Sequence, residues 1–478
     1  MDKQKVIVNF IWRLMERCGA QLVTTVVALV LARLLEPEIY GVVALVTVIT
    51  TVLNVFIDSG LGTALIQKKD ADDLDFSSVF YFNMVMCVGI YGLVFLIAPL
   101  MADFFRMPDL TTVIRVLGLT LVLSGVKNIQ TAYVSRQMIF KKFFFATLGG
   151  TIGAAAVGLW MAFQGYGVWA LVAQSLFNNT VDTLILWITV PWRPKRMFSL
   201  QRLRGLFSYG WKLLVTGLMS SLYSNLRQLI IGKMYSAEDL AFYNRGMQFP
   251  NLITANLLPA VDNVLLPVMS SRQDDLNTVL NMNRRAVRTI SYLIWPMMLG
   301  LAACGESLIR LLLTEKWLPA LPYLWIYCVD YSMWPLDAAN LNAIKAIGRS
   351  DVFLKLQIIN RTLGVVVLLV TMPHGVFAMA LGLPVLGVLG QLVNAVVMRR
   401  VLNYSFRQQA QDILPSVGLA GVMAVCVWAI SLLGFSDGMS LLIQIPLGVA
   451  VYLGGSVLLR FEIFHYLRNT LKEFLKRK

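Results

Sequence analysis

The sequence predicts an all-α integral membrane protein of about fourteen transmembrane helices, arranged as two parallel six-helix repeats around a central cavity, with two further helices at the C-terminus. Three observations lead there. Of the 478 residues, 58% are hydrophobic and 14% charged, a balance too apolar for a water-soluble core to absorb. Apolar stretches of about 20 residues recur from end to end, each long enough to cross roughly 30 Å of hydrocarbon as a helix. Two turns of similar sequence also stand six such stretches apart.

The first stretch, 8–34, follows Lys3 and Lys5; it is too long for a cleaved signal peptide and lacks a small-residue cleavage site, so it reads as the first span. Spans follow at 41–66, 79–102, 111–135, 143–164, 166–191, 206–231, 245–270, 285–314, 320–345, 353–372, 375–399, 413–434 and 440–460. The connections are short, which leaves no room for a soluble domain, and the short alternating segments of a β-barrel are not seen. The expected division is an N-terminal six-helix lobe over 1–200, a C-terminal six-helix lobe over 201–408, and two additional helices with a basic tail over 409–478. Cys18, Cys87, Cys304, Cys328 and Cys426 all fall within spans, an odd and buried set that argues against disulfides and against a metal site.

The net charge of +15 is distributed as topology demands. With the N-terminus inside, 28 of the 41 lysines and arginines fall on the cytoplasmic side, six (Arg33, Arg106, Lys233, Arg245, Arg310 and Lys316) on the opposite side, and seven within spans. Positive charge is retained on the cytoplasmic face of bilayers, so both termini are expected to be cytoplasmic. The basic balance therefore reflects topology and calls for no nucleic-acid partner. The tail, LRNTLKEFLKRK, reads as an amphipathic end facing lipid.

In this orientation the segment RLLEPEIYGVV from Arg33 is the tight outer turn between spans one and two, and KMYSAEDLAFY from Lys233 is the outer turn between spans seven and eight. Glu38 matches Glu238, Gly41 matches Ala241 and Arg33 matches Lys233. Further on, Asp58 aligns with Asp262 and Asp70 with Asp274. Two matches in the same order, in equivalent places, indicate a duplicated six-helix unit. Six is even, so both copies enter from the same side and the repeats are parallel. The Glu-Pro-Glu turn itself reads as helix-stop and helix-start chemistry from Pro37 and flanking carboxylates.

The same residues carry a resemblance. Pro37-Glu38-Ile39-Tyr40-Gly41 after the first span, with Asp58, Gly60, Leu61, Ala64, Leu65, Ile66 and Gln67 closing the second, resembles the polysaccharide transporter family of bacterial flippases. That family belongs to the superfamily that also holds multidrug and toxin extruders and the peptidoglycan-precursor flippase. The likeness extends over the whole chain and is greatest to colanic-acid-type exopolysaccharide exporters. It implies an undecaprenyl-pyrophosphate-linked oligosaccharide repeat unit as cargo, turned from the cytoplasmic to the periplasmic leaflet by alternating access, and a location in the bacterial inner membrane. Membrane lipids, a polysaccharide polymerase and export machinery are the further partners it implies. Surface exopolysaccharide, O-antigen or capsule would be the product. The motif does not name the sugar.

Charges inside the spans are the natural functional residues, because an uncompensated charge at the bilayer centre costs roughly 2.5 to 3.5 kcal/mol. The seven cations are Arg13, Arg17, Arg115, Lys127, Lys212, Arg227 and Arg361. Arg13, Arg17, Lys127, Lys212 and Arg361 lie toward the cytoplasmic ends of their spans, where a ring of cations would attract a pyrophosphate; snorkelling to the headgroups is the alternative, above all for Arg13 and Lys212. Among the carboxylates, Asp330 near mid-membrane is the first choice for coupling to protons or sodium. Asp58 and Asp262, related by the repeat, serve either as a second coupling pair or as caps of kinked helix ends. Pro250, Pro259 and Pro267 in the eighth span, with Gly60 and Gly62 in its counterpart, mark where helices can flex or are statically kinked.

Catalytic signatures are missing. His374 sits at an outer turn and His465 in the tail, no glycine-rich phosphate loop with a lysine occurs, and neither an enzyme nor a cofactor is expected. Two rival readings remain: a multidrug or cation extruder of the same superfamily, whose cavity should be acidic and aromatic rather than cationic, and a membrane polysaccharide polymerase, which needs larger outer loops than these.

Overall fold

Each of the fourteen expected spans coincides with one helix or with two that adjoin end to end in the computed structural model. It describes residues 3–58, 60–139 and 141–476, with side chains for all of these except 3–18, 209, 256, 258–260 and 470–476. Among the described residues there is no strand. In chain order the helices are α1 (Lys3–Leu34), α2 (Pro37–Asp58), α3 (Leu61–Gln67), α4 (Asp73–Phe105), α5 (Leu110–Leu117), α6 (Leu119–Gln137), α7 (Lys141–Phe163), α8 (Val168–Thr189), α9 (Leu200–Met234) and α10 (Ala237–Ser270). They continue with α11 (Leu276–Ala303), α12 (Gly305–Leu313), α13 (Leu321–Ala346), α14 (Ser350–Thr371), α15 (Val376–Leu402), α16 (Phe406–Ser431), α17 (Asp437–Leu458) and α18 (Glu462–Lys476). Nine of these helical stretches among the described residues are long and apolar enough to cross a membrane.

The helices end where sequence supplies a cap. Asp72 accepts from the Asp75 N–H at 2.9 Å while the Asp75 carboxylate accepts from the Asp72 N–H at 3.2 Å, a reciprocal cap that starts α4. Ser236 and Asp239 form the same kind of cap at the start of α10, and Pro37 opens α2, so the two repeated turns are built by the turn chemistry their residues imply. Arg106, Met138 and Asn403 close α4, α6 and α15 in the left-handed conformation. The second expected span is broken rather than merely bent: α2 stops at Asp58, and Gly60, at φ 67°, begins α3. A side chain at Gly60 would also collide with the Gly210 carbonyl, 2.6 Å from its Cβ position.

Packing divides the chain into two compact units, Met1–Ala241 and Phe242–Lys478. The repeat places the boundary after residue 200, whereas α9 packs on α2, α3 and α4 of the first unit. In that unit α7 lies along α8 and α1. Its run of Gly149, Gly150, Gly153, Ala154 and Gly158 makes this possible, because a Cβ at Gly150 or Gly153 would sit 2.8 Å from Asn178 or 2.5 Å from Phe177 of α8. The second unit is organised by α11 against α16 and α13, with α15 also packed on α13.

Candidate functional site

Helix α6 brings two polar side chains to opposite tasks at consecutive positions. Lys127 points to α8, where its Nζ lies 2.8 Å from Asp182 Oδ2, the two side chains being 25% and 17% exposed. Asn128, about 100° further round the helix, points to the end of α2, donating from Nδ2 to the Ile57 carbonyl at 3.3 Å and to Asp58 Oδ1 at 3.2 Å. A helix C-terminus presents unpaired carbonyls and disfavours a carboxylate. Asn128 supplies the donor for both. Gly62 of α3 faces the same amide, its Cβ position 2.9 Å from Asn128 Oδ1, so glycine is required for α3 to approach α6.

The second unit repeats the Asp–Asn contact, with Asp262 inside α10 and not at a helix end. Asn342 of α13 donates to Asp262 Oδ1 at 2.6 Å, across 80 residues of chain where Asp58 and Asn128 are separated by 70. One helical turn or so away on α13, Asp337 Oδ1 accepts from Gln391 at 2.9 Å and from Asn394 at 2.6 Å, both on α15. Asp262, Trp334, Asp337, Asn342 and Lys345 line one cavity of about 280 Å³. Asp330, seven residues before Asp337 and so on the same face, is 4% exposed and faces Gly387 of α15, whose Cβ position is 3.7 Å from its Oδ1.

The remaining expected residues separate. Lys212 is exposed on α9, and Arg361 is half-buried on α14. The side chains of Arg13, Arg17 and Pro259 lie outside the described residues. Pro250, buried, and Pro267, exposed, stand within an unbroken α10, so the break present at Gly60 in the first copy has no equivalent in the second. Sequence reasoning missed Asn128, Asn342, Gln391 and Asn394, which are the partners of the carboxylates; an uncharged amide in a span attracts no notice. A usable signal was present, since Asn128 and Asn342 occupy corresponding helices of the two repeats.

An apolar groove of about 590 Å³ runs between α11, α16 and α17, with Leu293, Pro296, Met423, Val427 and Leu453 among its walls. Its polar residues are consumed by bonds between helices: Tyr452 donates to the Tyr292 carbonyl at 2.8 Å, Tyr292 to Ser456 Oγ at 2.9 Å, and Gln444 to the Val427 carbonyl at 3.2 Å. The walls are thereby left apolar. No group of three or more His, Cys, Asp or Glu among the described residues can hold a metal ion.

Two helical units with recurrent Asp–Asn contacts between helices, built from spans of membrane length, define a multi-pass membrane protein with a transporter fold. The fold is that of the lipid II flippase MurJ in its inward closed conformation, with a TM-score of 0.73 at 15% identity over 95% of this chain and 99% of that one. It is shared with an inward-facing multidrug resistance MATE family transporter of the MOP superfamily, with a TM-score of 0.61 at 13% identity over 81% of this chain and 96% of that one.

Residues 30–322 match the family described as Polysaccharide biosynthesis protein, and the chain belongs to that family. Similar relatives are the lipopolysaccharide biosynthesis protein WzxC of Escherichia coli strain K12, 24% identical over 79% of this chain and 78% of WzxC, and the succinoglycan biosynthesis transport protein ExoT of Rhizobium meliloti strain 1021, 23% identical over 72% and 70%. The teichuronic acid biosynthesis protein TuaB of Bacillus subtilis strain 168 is 23% identical, with 63% of its length spanned.

Proposed function

We propose that this protein is a flippase that moves an undecaprenyl-pyrophosphate-linked oligosaccharide repeat unit from the cytoplasmic to the periplasmic leaflet of the inner membrane, for assembly of a surface polysaccharide. The observation that carries this reading is membership of the polysaccharide biosynthesis family over residues 30–322. Two others support it: the fold is one that serves a lipid II flippase, and a polyprenyl chain needs an apolar surface of the kind that α11, α16 and α17 present. The two lobes rock about the substrate by alternating access, with both termini cytoplasmic and with 1–200 and 201–408 as the repeated halves.

In this scheme Arg361 and Lys212, with Arg13 and Arg17, meet the pyrophosphate at the cytoplasmic side, and Lys127 does so only after release from Asp182. Asp330 is the carboxylate assigned to ion coupling. Asp58 holds the end of α2 through Asn128, Asp262 ties α10 to α13 through Asn342, and Gly60 and Gly62 are the points of flexure. Deletion of the protein should stop export of one surface polysaccharide while its lipid-linked repeat unit accumulates in the inner leaflet. Normal arrival of repeat units in the outer leaflet, with export still blocked, would place the chain at a later step such as polymerisation and overturn the proposal.

A further inference from the structure

On α11, Asn281, Arg284, Arg285 and Arg288 follow the spacing i, i+3, i+4, i+7 and form one stripe. The opposite face, with Asn283, Ala286, Val287 and Ile290, is buried in the second unit. The stripe forms one wall of a cleft of about 380 Å³ whose other wall is the start of α18, with Glu462, Ile463 and Tyr466. At this end of α18, Phe461, Ile463, Phe464 and Leu467 pack against the core formed by Tyr292, Leu419, Met423 and Tyr452; the side chains of the predicted lipid-facing tail from residue 470 on lie outside the described residues.

The charges of the cleft do not cancel. Asp412 of α16, its side chain 1% exposed, takes Arg284 through two bonds at 2.8 and 3.0 Å and Arg288 at 2.7 Å, and Tyr404 donates to it at 2.9 Å. One carboxylate thus serves two guanidiniums. Glu462, its side chain 87% exposed, reaches Arg288 only at 3.5 Å and is well screened by solvent. Among the described residues Arg285 meets no carboxylate; it lies over the Tyr466 ring at 5.1 Å, which orients its fork and leaves its N–H donors for another acceptor. Three arginines against one buried and one solvated carboxylate make a site for an anion that accepts several hydrogen bonds at once, as a phosphate does.

The level of the cleft selects the source of that phosphate. It lies within the first turns of α11 and beside the first turns of α16, both long and apolar enough to span, and α18 begins four residues after α17 ends. Such a level is where phospholipid headgroups reside, and basic pockets between helices at that depth suit anionic headgroups. We propose that this cleft binds the phosphate of an anionic phospholipid of the adjoining leaflet, clamping α18 to α11. The site is separate from the transported cargo.

The test is native mass spectrometry of the full chain, titrated with phosphatidylglycerol or with phosphatidylcholine. Phosphatidylglycerol should bind preferentially, Arg285→Gln should weaken that binding about tenfold or more without changing phosphatidylcholine binding, and Arg285→Lys should fall between, since lysine keeps the charge and loses the fork. Asn281→Leu, which removes a donor and no charge, serves if Arg285→Gln accumulates poorly, and it should weaken phosphatidylglycerol binding less. Equal phosphatidylglycerol affinity in wild type and in every accumulating variant would overturn the proposal. Displacement of the lipid by inorganic phosphate would do so too, by assigning the cleft to a soluble anion. Displacement by undecaprenyl pyrophosphate would assign it to the cargo and equally overturn the lipid site.

Discussion

Replacing Lys127 by alanine removes the cation 2.8 Å from Asp182 Oδ2 and strands a carboxylate whose side chain is 17% exposed, with α7 close beside it: the Cβ position of Gly150 is 3.4 Å from the Asp182 N–H nitrogen. Breaking a buried pair from one side costs about 3 to 5 kcal/mol, and a lone charge within a span roughly 2.5 to 3.5 kcal/mol. Partial exposure of both groups puts the expected loss near the lower end, about 3 kcal/mol, or roughly a hundredfold in the folded-to-unfolded ratio. Asp182→Asn should cost a similar amount, since it strands the lysine. The double variant Lys127→Ala with Asp182→Asn leaves no charge and should cost well under the sum of the two single losses. The measurement is a double-mutant cycle on reversible unfolding in bicelles, read beside export in cells. Additive single effects, or two single variants as stable as wild type, would refute the pairing energy. A stable double variant that fails to export would show that the pair works in the transport cycle and not in the scaffold alone.

Gly41→Ala should cost about 3 kcal/mol or more and abolish monodisperse yield, because its Cβ would stand 1.7 Å from the Ala237 carbonyl oxygen, backbone against backbone with no rotamer to relieve it. Gly89→Ala, with nothing within 4 Å of its Cβ, is the matched control and should behave as wild type by size-exclusion chromatography. Asp412→Asn should lower the thermal midpoint by the equivalent of about 3 kcal/mol, since it leaves Arg284 and Arg288 without their carboxylate. Asp72→Ala should cost about 1 kcal/mol through loss of the α4 cap. The Asp75 backbone N–H holds the Asp72 carboxyl below its ordinary 3.8, so this difference is present above that value and disappears as pH falls through the depressed one; stability curves of wild type and variant that stay parallel at low pH would contradict it. Single cysteines at Gln164, His374 and Ser436 should label from outside with an impermeant thiol reagent and one at Gln273 only from the cytosol. His374 serves better than its neighbour Gly375, which at φ 105° tolerates no side chain without strain.

Much of this protein is written in one dimension. The spans are legible because hydrocarbon offers the backbone no hydrogen-bond partner, so every crossing must be a run of about 20 mostly apolar residues, and such runs survive in composition alone. The repeat is legible because RLLEPEIYGVV and KMYSAEDLAFY must each stop one helix and start another within a few residues, and turn chemistry leaves few choices. The pairings were decided only in three dimensions. Lys127 meets Asp182 across 55 residues and Asp58 meets Asn128 across 70, distances over which no periodicity carries information. Reading charges one by one ranks Lys127 as a cation available to a phosphate, because a sequence records which charges are buried and not which of them face each other. It also passes over Asn128, Asn342 and Asn394, since an amide has no insertion cost large enough to stand out, although a carboxylate within a span calls for such donors. The tail shows the same division. An amphipathic pattern was visible in the sequence, but that Phe461, Ile463, Phe464 and Leu467 at the start of α18 turn to α11, α16 and α17 depended on which surface lay within reach once the bundle had formed.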